Sequence, residues 1–228
     1  MRSEPVLLVH GFASSFERNW REPGWVDLLH DAGREVIGVD LLGHGTAERP
    51  HDPAAYAHLE DCVARALPAA GQVDAVGFSL GAQLLLAVAA AAPQRFGRVV
   101  LGGVGSNMFV SADFEPVAKA IESGDPDPEN GLARAFTQFA AGSGNDPLAL
   151  AACLRRPGRK LVPADLATVT CPVLVVLGDR DFAGPPDPLV DALPDARLVA
   201  LRGADHFGTP KDFRFIDAAL EFLEAVPA

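Results

Sequence analysis

Six short apolar runs punctuate the chain: Val6–Val9, Val36–Val39, Val73–Phe78, Val99–Leu101, Val173–Leu177 and Leu198–Leu201. They are rich in β-branched residues and read as continuous instead of alternating with polar positions, the pattern of strands covered on both faces in a parallel sheet. The intervals between them are mostly long enough for one crossover helix, which predicts βαβ units and an α/β fold with a doubly wound, mostly parallel sheet. The first helix is expected over Trp25–Ala32, ended by Gly33, and the next over Leu59–Leu67, stopped at Pro68. Ala82–Ala92 is apolar nearly all round, so it should be the most buried helix, and Pro93 ends it. A last helix, Asp212–Val226, is expected to turn Phe215, Leu220, Phe222 and Leu223 inward.

One interval breaks this rhythm. Between Gly103 and Pro172 the spacing is more than twice the usual and holds no strand-like run. A loop of that length is not expected to be structureless inside a compact domain. Helical patterns over Glu115–Ser123, Glu129–Ala141 and Pro147–Arg155, separated by Gly- and Pro-rich stretches, predict a small helical lid at residues 104–171. It would be inserted into a core of residues 1–103 and 172–228 and cover the C-terminal edge of the sheet, where open α/β sheets bind ligands. Phe109, Phe114, Phe136 and Phe139 would either line a pocket beneath it or hold the lid helices together.

Composition narrows the function classes. At 228 residues and 49% hydrophobic the chain can bury one large core. A net charge of −11 argues against nucleic acid or an anionic membrane surface as partner. Three widely spaced cysteines, Cys62, Cys153 and Cys171, fit neither a disulfide framework nor a zinc site and point to a reducing compartment. The run Val6–Val9 is too short for a membrane span or a signal-peptide core, so the cytoplasm is the expected location.

The chemistry gathers around Gly77-Phe78-Ser79-Leu80-Gly81, between the run Val73–Phe78 and the helix that follows. A serine on a strand-to-helix turn, with glycine two residues to either side, is pushed clear of a backbone too crowded for a Cβ at the flanks. Unpaired N–H groups at the helix start favour an oxyanion there. A serine hydroxyl needs a base, usually histidine, oriented in turn by a carboxylate. His10, His30, His44, His51 and His58 precede Ser79, and His206 alone follows it, in the loop after the last strand. Asp181, Asp179 and Asp205 are the candidate acids. Asp181 sits deeper in its loop and is preferred, Asp179 is expected to brace the turn, and the Asp205 side chain should diverge from its neighbour's ring. Two N–H donors must face the developing oxyanion: that of Leu80, after the nucleophile, and that of Phe12, in the loop His10-Gly11-Phe12-Ala13 after the first strand.

These segments, with Asp40-Leu41-Leu42-Gly43-His44-Gly45, Gly178-Asp179-Arg180-Asp181 and Gly203-Ala204-Asp205-His206, resemble the α/β-hydrolase superfamily in order and over almost the whole chain. The resemblance implies a catalytic triad of Ser79, Asp181 and His206, an oxyanion hole from the Phe12 and Leu80 N–H groups, a cap at 104–171, and structural roles for His10 and His44. Ala82 stands where the family often has a second glycine. No metal or organic cofactor is expected, and no H-E-x-x-H, phosphate loop or dinucleotide fingerprint occurs. A serine at the elbow argues against the aspartate-dependent dehalogenases and epoxide hydrolases. The expected activity is that of a carboxylesterase acting on small to medium acyl esters. The enzymatic alternatives are lactonase, thioesterase, or a C–C hydrolase of a vinylogous diketone, for whose carboxylate Arg134, Arg155 and Arg156 are the lid cations. A small-molecule receptor or signalling protein of the same fold, which keeps the triad and turns over slowly if at all, is the remaining alternative. The expected partner is a small ester-like molecule, with the oligomeric state left open.

Overall fold

Parallel strands need crossovers, and the order of elements supplies them. The computed structural model describes residues 3–110, 112–158 and 161–227. Residues 1–2, 111, 159–160 and 228, which fall inside the expected core and lid ranges, lie outside the described residues. The chain runs β1 (Val6–Val9), a single π-helical turn (Glu17–Arg21), α1 (Trp25–Asp31), β2 (Val36–Val39), α2 (Asp61–Ala66), β3 (Val73–Phe78), α3 (Leu80–Ala91) and β4 (Phe96–Gly102). Between β4 and β5 (Val173–Gly178) come α4 (Glu115–Ser123), α5 (Gly131–Ala141), α6 (Pro147–Leu154) and α7 (Pro163–Leu166). After β5 follow α8 (Asp187–Ala192), β6 (Ala196–Leu201) and α9 (Phe213–Phe222). The strands form one sheet in the order β2-β1-β3-β4-β5-β6, and every pairing is parallel.

Alternation of side chains splits the core into two layers. Leu7, Val9, Ala75, Val99, Leu101, Val173 and Val175 pack on one face with α3 and with buried residues of α4, α5 and α6. Val6, Leu8, Val76, Val100, Leu174 and Val176 pack on the other with Trp25, Val26 and Leu29 of α1 and Phe215, Ile216 and Leu220 of α9. As its composition requires, α3 is buried along most of its length, including Leu84, Leu85, Leu86 and Val88. Each such side chain contributes about 1.5–3 kcal/mol of transfer free energy.

The edge strands depart from the expectation of cover on both faces. β2 and β6 lie at the two ends of the strand order and are largely half-buried or exposed, because each has a neighbour on one side only. The inward face of α9 also differs in detail: Ile216 and Ala219 join Phe215 and Leu220, whereas Phe222 is half-buried beneath the Arg98 guanidinium. The helix stops at Phe222, and Glu224 takes a left-handed φ of 52° that no continuing helix allows.

β3 enters the core on a charge. The Asp74 side chain is fully buried and pairs at 2.6 Å with the equally buried Arg34, whose other N–H groups donate to the carbonyls of Glu4 and Leu223. This cluster joins the segment before β1, the segment before β2, β3 and the end of α9 at the N-terminal edge of the sheet.

Candidate active site

The C-terminal ends of β1, β3, β5 and β6 all meet at the opposite edge, and each contributes one part of the site. Ser79 follows β3 directly, with φ 50° and ψ −112°, a conformation L-residues rarely adopt. Its N–H donates to Gly102 O at 2.8 Å, and its carbonyl accepts the Gln83 N–H at 3.0 Å, so the turn is held from both sides. The flanking glycines are there for space. A Cβ on Gly81 would collide with Val9 O and lie 2.6 Å from His10 O, and one on Gly77 would lie 2.8 Å from the Ala82 backbone.

The loops after β5 and β6 deliver the other two side chains. His206 Nε2 lies 2.9 Å from Ser79 Oγ, and His206 Nδ1 lies 2.9 Å from both carboxylate oxygens of Asp181. A carboxylate only accepts, so Nδ1 carries the proton and Nε2 presents its lone pair to the serine hydroxyl. Asp181 and His206 are buried, and Asp181 Oδ1 also accepts the Ala183 N–H at 2.8 Å, which fixes its orientation. The competing carboxylates are engaged elsewhere. Asp179 Oδ1 accepts the Gly203 N–H at 2.7 Å, bracing the β5 loop against the β6 loop, and Asp205 Oδ1 accepts the Gly208 N–H at 2.8 Å within its own loop.

The loop after β1 is pinned one residue before its expected donor. The Gly11 N–H donates to Asn19 Oδ1 at 3.0 Å, from the π-helical turn. Among the described residues no acceptor meets the N–H of Phe12 or of Leu80. His10 is neutral: Nδ1–H donates to Gly11 O at 2.7 Å while Nε2 accepts the Leu41 N–H at 3.1 Å, tying the loops after β1 and β2 together. Burial pushes its pKa down, against the raising effect of the Gly11 carbonyl. Burial, with His10 beside it, pushes His44 down to about 3, and its Nδ1–H donates to Leu42 O. Neither ring can therefore serve as a base for Ser79. Burial also pulls at Asp40, but the N–H groups of Phe16 and Thr46 outweigh it and hold that carboxyl below its usual range.

A narrow cleft opens at Ser79, with about 490 Å³ of empty space including its open mouth. Phe136 and Phe139 of α5 line it together with Phe12, Phe78, His206 and Phe207. The expected Phe109 and Phe114 do not. Both pack partly buried against the hydrophobic core, Phe109 at the end of a turn after β4 and Phe114 at the start of α4, whereas α5 places Phe136 and Phe139 on the cleft. Phe136 stacks edge-on against Phe12, Phe182 and Phe207, with ring centroids 5.8, 5.8 and 5.3 Å apart. Phe182 lies 4.3 Å from the His206 ring and Phe78 5.0 Å. Asn145, between α5 and α6, accepts from Gly45 N–H and donates to Ser14 O, tying that segment to the loops after β2 and β1.

Several lining residues carried no sequence signal. Arg18, Asn19, Pro210 and Lys211 belong to short turns that hydrophobic periodicity does not detect. Arg155, at the end of α6, is paired with Glu115 and Glu122, and Arg156 donates to Cys153 O, so neither faces the cleft. Among the described residues no cluster of three or more His, Cys, Asp or Glu could hold a metal ion, and no helix is long and apolar enough to cross a membrane.

The site can be set beside known proteins. A 2-hydroxymuconate semialdehyde hydrolase of Pseudomonas putida is 36% identical over 115 residues, which are 49% of this chain and 40% of that relative, so the match spans less than half of its length. Among solved structures, the enol-lactonase from Burkholderia xenovorans LB400 superposes with a TM-score of 0.76 at 19% identity, over 98% of this chain and 92% of that one. A bromoperoxidase from Bacillus anthracis gives 0.73 at 21% identity, over 98% and 92%. At these identities the structural likeness is one of fold. Residues 6–223 match the model of the Alpha/beta hydrolase family, and with a parallel sheet that presents Ser79, Asp181 and His206 at one edge, the chain belongs to that family.

Proposed function

We propose that this chain is a serine-dependent hydrolase, a carboxylesterase that cleaves small to medium acyl esters through an acyl-enzyme. The observation that carries the reading is the continuous relay from Ser79 Oγ to His206 Nε2 and from Nδ1 to Asp181, with each contact at 2.9 Å. His206 accepts the Ser79 proton as Oγ attacks the carbonyl carbon, and Asp181 stabilises the imidazolium that forms. The carbonyl oxygen becomes the oxyanion, for which the Phe12 and Leu80 N–H groups are the donors. His206 then protonates the departing alkoxide. Water, deprotonated by His206, attacks the acyl carbon, and His206 returns that proton to Ser79 Oγ as the acyl bond breaks, releasing the acid. The helices between β4 and β5 act as the lid: Phe136 and Phe139 exclude water from the carbonyl and limit the length of the acyl group. The unpaired cysteines suit a cytoplasmic setting.

A second reading is a C–C hydrolase of a vinylogous diketone. The similarity to a 2-hydroxymuconate semialdehyde hydrolase favours it, and the same serine and histidine would serve that chemistry. The test is p-nitrophenol release from acetate through octanoate esters by the wild type beside Ser79→Ala. The ester reading expects turnover on the short esters and a fall of at least about ten-thousand-fold in kcat/KM for the variant. Wild-type rates no better than those of the variant overturn it, and the diketone then becomes the substrate to try.

A further inference from the structure

The chain carries a net charge of −11, yet the cleft at Ser79 has the opposite sign. Its lining includes Arg18 and Lys211 and no aspartate or glutamate. Both cations come from turns that pack against each other, the π-helical turn Glu17–Arg21 and the 3-10 turn Thr209–Lys211. These turns are held in place. Asn19, next to Arg18, accepts the Gly11 N–H, and the Trp25 indole N–H donates to Pro210 O, next to Lys211, at 3.0 Å. The Arg18 guanidinium donates one N–H, through Nη1, to Gly142 O in the segment that follows α5. Among the described residues neither Arg18 nor Lys211 has a carboxylate within ion-pair distance, whereas Arg21, on the same turn as Arg18, is paired with Glu17.

A guanidinium on a half-buried residue, with N–H groups to spare, lining with an ammonium from the adjoining turn a cleft without carboxylates, is a receptor for a planar anion. We infer that Arg18 and Lys211 form an anion subsite, and that the substrate is an acyl compound bearing a second, ionised carboxylate. The inference rests on the hydrolase reading of Ser79 and names the substrate class of that same cleft. Arg18 is the anchor, because its planar fork matches a carboxylate and its backbone is pinned beside Asn19. Lys211 is exposed and adds a weaker, salt-screened attraction. Against a surface of net negative charge, such a local inversion of sign also draws an anion to the cleft.

The experiment compares two p-nitrophenyl esters of one shape, the adipate monoester and a branched ester in which an isopropyl group replaces the carboxylate. The wild type is expected to favour the acidic ester by roughly tenfold in kcat/KM, mainly through KM. Arg18→Met lowers that preference by about tenfold and Lys211→Gln by about threefold, whereas Arg65→Gln, on an exposed face of α2, leaves it in place. Raising sodium chloride from about 50 to about 500 mM erodes the wild-type preference. A wild-type preference at or below one, insensitive to salt and to both variants, overturns the subsite. If Arg18→Met does not fold, Lys211→Gln and the salt series still decide. Ser79→Ala separates the two ideas: if it hydrolyses both esters as fast as the wild type, the hydrolase reading falls, and if it is inactive while the wild type shows no preference, the anion subsite alone falls.

Discussion

Each end of β3 holds a buried polar cluster, and the two are built on opposite principles. At the N-terminal end Asp74 meets Arg34, and Arg34 spends its remaining N–H groups on the carbonyls of Glu4 and Leu223. At the C-terminal end Ser79, His206 and Asp181 form a chain of contacts, beside two N–H groups for which no acceptor is present among the described residues. The first cluster is closed: it joins four segments and leaves nothing to offer a ligand. The second is held in place by the Gly11 N–H on Asn19, the Ala183 N–H on the Asp181 carboxylate and the Gln83 N–H on the Ser79 carbonyl, and none of these bonds uses the donors of Phe12 and Leu80. Structural polarity is satisfied internally, and chemical polarity is positioned by satisfied neighbours.

The contrast can be broken by four measurements. Ser79→Ala should have the largest effect, a loss of at least about ten-thousand-fold in kcat/KM with little change in the thermal midpoint, because the hydroxyl has no role beyond His206. Asp74→Ala should do the reverse. Stranding the buried Arg34 charge should cost about 3–5 kcal/mol in chemical denaturation, with kcat retained per folded molecule, and the double change Arg34→Met with Asp74→Leu should recover most of that loss. If Asp74→Ala instead reduces kcat in the folded fraction, the two ends are coupled and the separation fails. Asn19→Ala lies between them. It leaves the buried Gly11 N–H without its acceptor, so about 1–3 kcal/mol should be lost, with a fall in kcat larger than the rise in KM because the Phe12 donor is no longer fixed.

The fourth measurement turns on pH. His44, whose pKa falls from 6.5 to about 3 on burial, stays neutral in the folded chain while the unfolded chain takes up a proton. Stability from this group is therefore complete above about pH 6.5 and declines as pH falls from there toward about 3, by up to about 1.4 kcal/mol per pH unit. His10 acts in the same direction. Denaturation at pH 7 and pH 5 should show this slope in the wild type and a shallower one in His44→Gln. Equal slopes would mean that His44 is not buried neutral.

Much of this was legible before any coordinates. Val6–Val9, Val36–Val39 and Val73–Phe78 are strands with the bounds that their apolar runs predict; for the first and third, continuous apolar stretches of that length have few other ways to be buried on both faces, whereas Val36–Val39 keeps its bounds at an edge. Ser79 and His206 could be placed at one edge for a related reason. All strands run parallel, so every segment that follows a strand emerges on the same side. The π-helical turn and the short helices α7 and α8 escaped, since elements of four to six residues are too short to show a period.

The sequence by itself therefore determined the fold class, the elbow, and the edge on which His206 and the three candidate acids gather. Chain order decides which residues emerge at that edge, and hydrophobic continuity decides the strands. The sequence already preferred Asp181 to Asp179 and Asp205; only the tertiary structure showed where each carboxylate bonds, admitted Phe136 and Phe139 to the cleft while leaving out Phe109 and Phe114, and placed Arg18 and Lys211 on the cleft of Ser79. Those are distances between loops remote in sequence, set by how helices such as α5 and turns such as Glu17–Arg21 pack on the sheet. No local pattern encodes such a distance, because it depends on the shape of everything packed between the two residues.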